Sequence, residues 1–282
     1  DYATINSTLV DKYKGKDTFT TFNEGYLFYL QVNFKNNTVA NKNVREALAY
    51  AINRKDLCEN VLKDGSMAAT GFVPSQLSKS PAGKDFRDDA DKYVSYDQKK
   101  AQEYLDAAKK ELGTDTITID LLYGTDESPM DTMAEYLQGS FSKLKGLKVN
   151  MVATVKKDRI YNREANGNFQ VVCTRWGPDY ADPTTYLNLA LTDNSNNYGK
   201  YANAKFDALM EQIQKESDLT KRWDLMIQAE KVMMEDMAYI PVFEKGSAAL
   251  KAKNVKGLVV VPVGTPYTFK YEIGRASCRE RV

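Results

Sequence analysis

The sequence predicts an α/β fold in which a central, mainly parallel sheet is flanked by helices. Three observations carry that expectation. Between residues 117 and 176, short β-branched or apolar runs alternate with amphipathic ones in the order strand–helix–strand–helix–strand. Parallel neighbours need crossover connections, and the helical runs supply them, with right-handed crossovers expected. The composition, 43% hydrophobic and 27% charged over 282 residues, is that of a globular chain able to bury a core.

Taken in order, "YLFYLQVNF" (Tyr26–Phe34) reads as a strand, and "KNNTVANKN" breaks it with turn residues. "NVREALAYAINRKDLCENVLKDG" places Val44, Ala47, Leu48, Ala51 and Ile52, then Leu57 and Val61, at helical spacing, with Gly65 as a stop. "SMAATGFVPSQLSKSPAGKDF" holds two prolines and several small residues and predicts a long surface excursion. "DQKKAQEYLDAAKKELG" is a helix ending at Gly113, "TITIDLLYG" a strand, and "PMDTMAEYLQGSFSKLKG" a helix with Pro in its first turn. "LKVNMVATV" is a strand, "KKDRIYNREANG" a short helix, and "NFQVVCTRW" a further strand. "DPTTYLNLAL" opens a helix, and two amphipathic helices follow, the second with a face of Met226, Met233 and Met237 that reads as core filler. "YIPVFEKGSAALKAKNVKGLVVVPVG" returns to short β segments.

Charge and motif content exclude several function classes. With 39 basic and 38 acidic residues the formal charge is +1, so no net field draws nucleic acid or anionic lipid. No apolar run approaches the roughly 20 residues of a membrane span. The opening "DYATINSTLVDKYKG" has no apolar core of a signal peptide and reads as the continuation of something longer. The closing "GRASCRERV" shares none of the preceding pattern, and residues 273–282 read as a vector-derived tail. Outside that tail, Cys58 and Cys173 are expected as buried or semi-buried free thiols, since no CxxC or His exists to complete a zinc site. Without His, a Ser-His or Cys-His nucleophile is impossible within the chain, and no phosphate-binding glycine loop is present. No catalytic residue, metal or cofactor is expected.

The run "RWGPDYADPTTYLN" (Arg175–Asn188) concentrates the remaining chemistry. It lies just past the C-terminal end of a predicted sheet strand, where open α/β sheets bind ligands. Asp179 and Asp182 could serve as the carboxylate pair of a glycoside hydrolase. A carboxylate walled by Trp176 and Tyr180 suits a cationic guest better. Two unit charges about 4 Å apart attract by roughly 4 kcal/mol at an effective dielectric near 20, before desolvation. Aromatic walls add shelter and cation–π attraction. Asp182 directly precedes Pro183 and reads as a helix N-cap, which leaves Asp179 as the ligand-binding acid. Tyr180 is open between wall and core.

These residues resemble a known family. "RWGPDYADPTTYLNLAL" followed by "NSNNYGKYANAKFDALM" is similar to the W-x-x-D-Y-x-x-P-x-x-[FY]-L segment and Asn-rich turn of the peptide-binding proteins of ABC importers. "NVREALAYAINRKDL" and "IPVF" match two further segments of that family, and together they extend over residues 32–271. The resemblance implies a type II periplasmic-binding-protein lobe. Residues 1–31 and 247–272 would be end pieces of another lobe, and residues 32–246 the C-terminal, ligand-binding lobe. It implies that Asp179 pairs with the α-ammonium of an oligopeptide in a pocket with Trp176, Tyr180, Gly177, Arg175 and Cys173. Some members use an Arg at the position of Cys173, or at that of Glu164 beside Arg163, to hold the carboxylate of a short peptide. Their replacement here points to longer peptides held through the backbone. The implied protein is extracytoplasmic, a monomer and a cell-surface lipoprotein or periplasmic. It delivers oligopeptides to a membrane permease, or senses a peptide pheromone, or acts as an adhesin.

Overall fold

The computed structural model describes residues 2–264 and 267–268. The expected tail at 273–282 lies outside them. One seven-stranded sheet organises the chain. Its strands are β1 (Tyr2–Ile5), β2 (Phe19–Val32), β3 (Met67–Ala68), β4 (Ile117–Gly124), β5 (Leu147–Thr154), β6 (Val171–Trp176) and β7 (Tyr239–Lys251). Their order is β1-β7-β2-β6-β4-β5, with β3 beside β7.

The α/β class with flanking helices is present, but the sheet is mixed rather than mainly parallel. β4 pairs parallel with β5 and β6, whereas β2 pairs antiparallel with β6 and β7. Residue patterns along a strand report burial, not the direction of its partner, and β2 and β7 meet only through tertiary structure. Their ladder slips in register between Asn23 and Leu27, and beyond the slip Phe28 stacks on Phe243 with ring centroids 4.4 Å apart. Such a cross-strand aromatic pair adds about 0.5–1.5 kcal/mol to the burial of its two rings.

The helices form where capping chemistry and apolar spacing coincide. Asn41 accepts from the amides of Asn43 and Val44 to start Lys42–Ala51, which buries Val44, Ala47, Leu48 and Ala51. Asp97 caps Gln98–Leu112, and Gly113 ends it in the left-handed region at φ 65°. Asn203 and Asp218 cap Ala204–Lys215 and Leu219–Glu235 in the same way. Met226, Met233 and Met237 are all buried, as their spacing predicts.

Three expectations are corrected. The single helix expected from residue 43 to Gly65 is broken at Ile52. There Asn53 turns its side chain to the Asp56 amide and starts Arg54–Asp56, which runs into a wider π turn, Leu57–Leu62. The stop is Lys63, itself in the left-handed region, not Gly65. The stretch after Gly65 is no surface excursion: Ala69, Phe72, Val73 and Leu77 are buried. Side-chain carboxylates satisfy its irregular backbone. Glu230 accepts from the amides of Phe72 and Val73, each at 2.8 Å, and Glu244 from that of Ser75 at 3.1 Å. Finally, the closing β region is one thirteen-residue strand, β7, followed by the short β8 (Val259–Val260).

Candidate functional site

The parallel register sets Gly124 of β4 beside Thr154 of β5, with β6 on the other side of β4. The segments leaving these three strands therefore emerge together at one sheet edge, the expected ligand end of an α/β sheet. A cleft of about 310 Å³ opens there. Glu127 enters it from the turn after β4, Lys156 and Arg159 from the short helical segment after β5, and Thr174, Arg175 and Trp176 from β6. Tyr26 and Tyr29 of β2 form part of its wall. The start of this helical segment is held in place locally: Thr154 Oγ1 donates to Asp158 at 2.7 Å, and the Lys156 amide to Asp126 at 2.7 Å.

At the base of the cleft lies a buried charge cluster. Arg159, 2% exposed, donates through Nη2 and Nε to Glu127 Oε2 at 2.8 and 3.2 Å, and through Nη1 to Thr174 Oγ1 at 3.0 Å. Its Nη1 also pairs with the carboxylate of Glu164. The other oxygen of Glu127 faces two further cations without hydrogen-bonding to either: Lys156 Nζ at 3.4 Å and Arg175 Nε at 3.7 Å. The Arg175 guanidinium stands 4.9 Å from the Tyr26 ring centroid and 5.9 Å from that of Phe28, within cation–π range.

Burial pushes the Glu164 carboxyl up to about 7, against the lowering pull of Arg159. Its folded value thus lies above the ordinary 4.5, so between those two values the folded chain holds a proton that the unfolded chain releases. The resulting stability is fully present below pH 4.5 and is lost as pH rises through about 7. Urea denaturation across this range should show wild type losing stability relative to Glu164→Gln as pH rises. A constant difference between the two proteins would contradict the assignment.

The residues expected to form the site are only partly brought together. Trp176 and Arg175 line the cleft. At Gly177, a β-carbon would lie 2.3 Å from Cε1 of Tyr26, so glycine is required for that ring to close against the loop. The buried Tyr186 hydroxyl donates to the carbonyl of Gly25 and lies 3.4 Å from that of Trp176, tying the loop to β2. Asp179 and Tyr180 are exposed on this loop, outside the residues lining the cleft. The Asp179 amide donates to Thr185 Oγ1 at 3.0 Å, and its carboxylate has no ion-pair partner among the described residues. The Tyr180 hydroxyl accepts from Asn188 at 3.1 Å, so this ring stands at the rim rather than in the core.

Cys173 does not reach the cleft. It sits mid-strand with no exposed surface, paired across β2 to Leu30, and burial pushes its thiol well up. Cys58 is likewise buried and free, its thiol pushed up to about 12 by burial. Asp182 performs the expected capping, accepting from the Thr184 amide at 3.0 Å, and forms a bidentate pair with Arg222 at 2.7 and 3.1 Å. Burial acts to raise its carboxyl, but the bonds from Arg222 and Thr184 outweigh that and leave it below the ordinary range. Arg163 is on the surface with Asp158, at 3.2 Å. Glu127, Lys156 and Arg159 are functional candidates that the motif reading misses. The available signal is position: Glu127, Lys156 and Arg159 all lie within a few residues after a strand of the parallel part.

Residues 1–198 match the family described as bacterial extracellular solute-binding proteins, family 5, middle part. The chain is 31% identical to a dipeptide-binding protein of Lactococcus lactis, over 96% of this chain and 51% of the relative. The chain spans about half the length of the curated relatives it matches. Among solved structures, it resembles the substrate-binding domain of an oligopeptide ABC transporter from Bacillus anthracis. That match has a TM-score of 0.82 and 31% identity, and covers 97% of this chain and 54% of the other. A structure described as the pheromone receptor PrgZ and its mode of peptide binding matches with a TM-score of 0.80 and 33% identity, over 96% of this chain and 53% of that one.

Proposed function

Because the chain belongs to family 5 of the bacterial extracellular solute-binding proteins, we propose that it forms one lobe of an oligopeptide receptor serving an ABC importer. The observation that carries this reading is the cleft at the ends of β4, β5 and β6, walled by Tyr26, Tyr29 and Trp176 and flanked by a loop bearing Asp179, whose carboxylate has no ion-pair partner among the described residues. A peptide's α-ammonium pairs with Asp179, and Trp176 and Tyr180 shelter that pair when a second lobe closes over it. The backbone of a longer peptide supplies most of the remaining hydrogen bonds. Selection of short peptides through a terminal carboxylate at Cys173 or Glu164 is not expected, because the first is core and the second is already paired with Arg159.

Residues 32–246 are the binding lobe in this reading, and residues 1–31 and 247–272 belong with a second one. β2 and β7 are the two strands that cross between lobes, and the register slip near Asn23 is a natural place for them to bend. The protein works outside the cytoplasm and hands peptide to a membrane permease. Among the described residues no helix is long and apolar enough to cross a membrane. The receptor performs no chemistry on its ligand. The alternative carboxylate pair is poorly suited to hydrolysis, since Asp182 has both oxygens engaged by Arg222. Incubating the full-length protein with a mixed peptide library and with oligosaccharides separates the two readings. Saturable binding of intact peptide is expected; turnover of a sugar would favour a hydrolase.

A further inference from the structure

The cleft holds more positive than negative groups, and its cations are differently committed. Arg159 is fully engaged: its nitrogens donate to Glu127, Glu164 and Thr174. Lys156 and Arg175 are not. Their side-chain nitrogens donate no hydrogen bond to any described residue, and their closest anion is Glu127 Oε1, at 3.4 and 3.7 Å. Glu127 is 4% exposed at its side chain and is shared by three cations, its Oε2 already spent on Arg159. One carboxylate oxygen therefore stands between two cations, with neither in hydrogen-bond contact.

Both cations are partly exposed, Lys156 at 47% and Arg175 at 32%, so each is open to a ligand. The Arg175 guanidinium is held beside the Tyr26 and Phe28 rings, which lowers the entropy lost when it forms a bidentate contact. We propose that Lys156 and Arg175 form an anion subsite of the cleft, which reads a carboxylate of the bound peptide. The ligand carboxylate takes the unused donors of both residues. Glu127 keeps the two cations spaced in its absence and stays paired with Arg159 when it arrives. The guest is an acidic side chain or the peptide's C-terminus. In either case recognition works through residues other than the replaced positions Cys173 and Glu164.

This inference rests on the peptide-binding reading, and its test separates the two. Calorimetry on the full-length protein would use a pentaalanine series with glutamate at each position in turn, the matching glutamine series, and both with amidated C-termini. Neutralising one carboxylate should weaken binding by about tenfold or more, the scale of a charge-assisted hydrogen bond. Loss on glutamine replacement identifies a side-chain guest; loss on amidation identifies the terminus. The same loss should largely disappear in Lys156→Gln and in Arg175→Gln, with Lys156→Gln the safer variant because its side chain is half exposed. Peptides that bind with affinities indifferent to both neutralisations would overturn the anion subsite and leave the peptide reading standing. Failure of every peptide to bind would overturn both.

Discussion

Replacing Arg159 by alanine is expected to destabilise the chain by about 3 to 5 kcal/mol at pH 8, the usual cost of removing one partner from a buried ion pair. The physical reason is the company it leaves. Glu127 and Glu164, at 4% and 3% side-chain exposure, would face each other without the guanidinium that separates them. Burying an ionised carboxylate unpaired is far more costly than losing a neutral hydrogen bond. The penalty should shrink as pH falls, because Glu164 already takes up its proton near pH 7 in the intact cluster. A combined variant, Glu127→Gln, Arg159→Met and Glu164→Gln, should recover much of the loss by removing the charges together. Urea denaturation of the three proteins at pH 8 and pH 6 measures this. A loss below about 1 kcal/mol for Arg159→Ala at pH 8 would show that the cluster is well solvated rather than buried.

The elements were legible where local chemistry decides them. "TITIDLLYG" and "LKVNMVATV" coincide with β4 and β5, and Asp97 and Gly113 bound their helix as capping rules require. The start of β2 was missed because "FTTFNEG" is polar, contains a glycine and lies beside the register slip, so it lacks the alternation of a regular strand. The irregular stretch after Gly65 looked like a loop because its backbone is satisfied by acids far along the chain. Arg45 was invisible for a related reason. On a helix it reads as a solvated charge, yet it is buried and donates to the carbonyls of Asp236 and Met237.

The candidate site divided along the same line. Trp176, Gly177 and Asp179 could be singled out because they share one short run with a sharp turn. The Glu127–Arg159–Glu164 cluster could not, because its members come from two crossovers and meet only when β4 and β5 pair. Cys173 illustrates the opposite error. The family resemblance implied a place for it in the ligand pocket, whereas its mid-strand position buries it, as its residue type alone suggests.

The proposed receptor holds a peptide's α-ammonium at Asp179, on the loop that flanks the cleft. In the closed receptor that ion pair would be sheltered by Trp176 and Tyr180, where a charge-assisted hydrogen bond contributes about 1.5 to 3 kcal/mol. Titrating the full-length protein and its Asp179→Ala variant with one peptide, in free-amine and N-acetylated forms, tests it most directly. Wild type should bind the free amine at least about tenfold more tightly than the acetylated form, a difference of about 1.4 kcal/mol. In Asp179→Ala that preference should vanish, with affinity for the free amine reduced to that of the acetylated peptide. Equal preference for the free amine in both proteins would contradict the account.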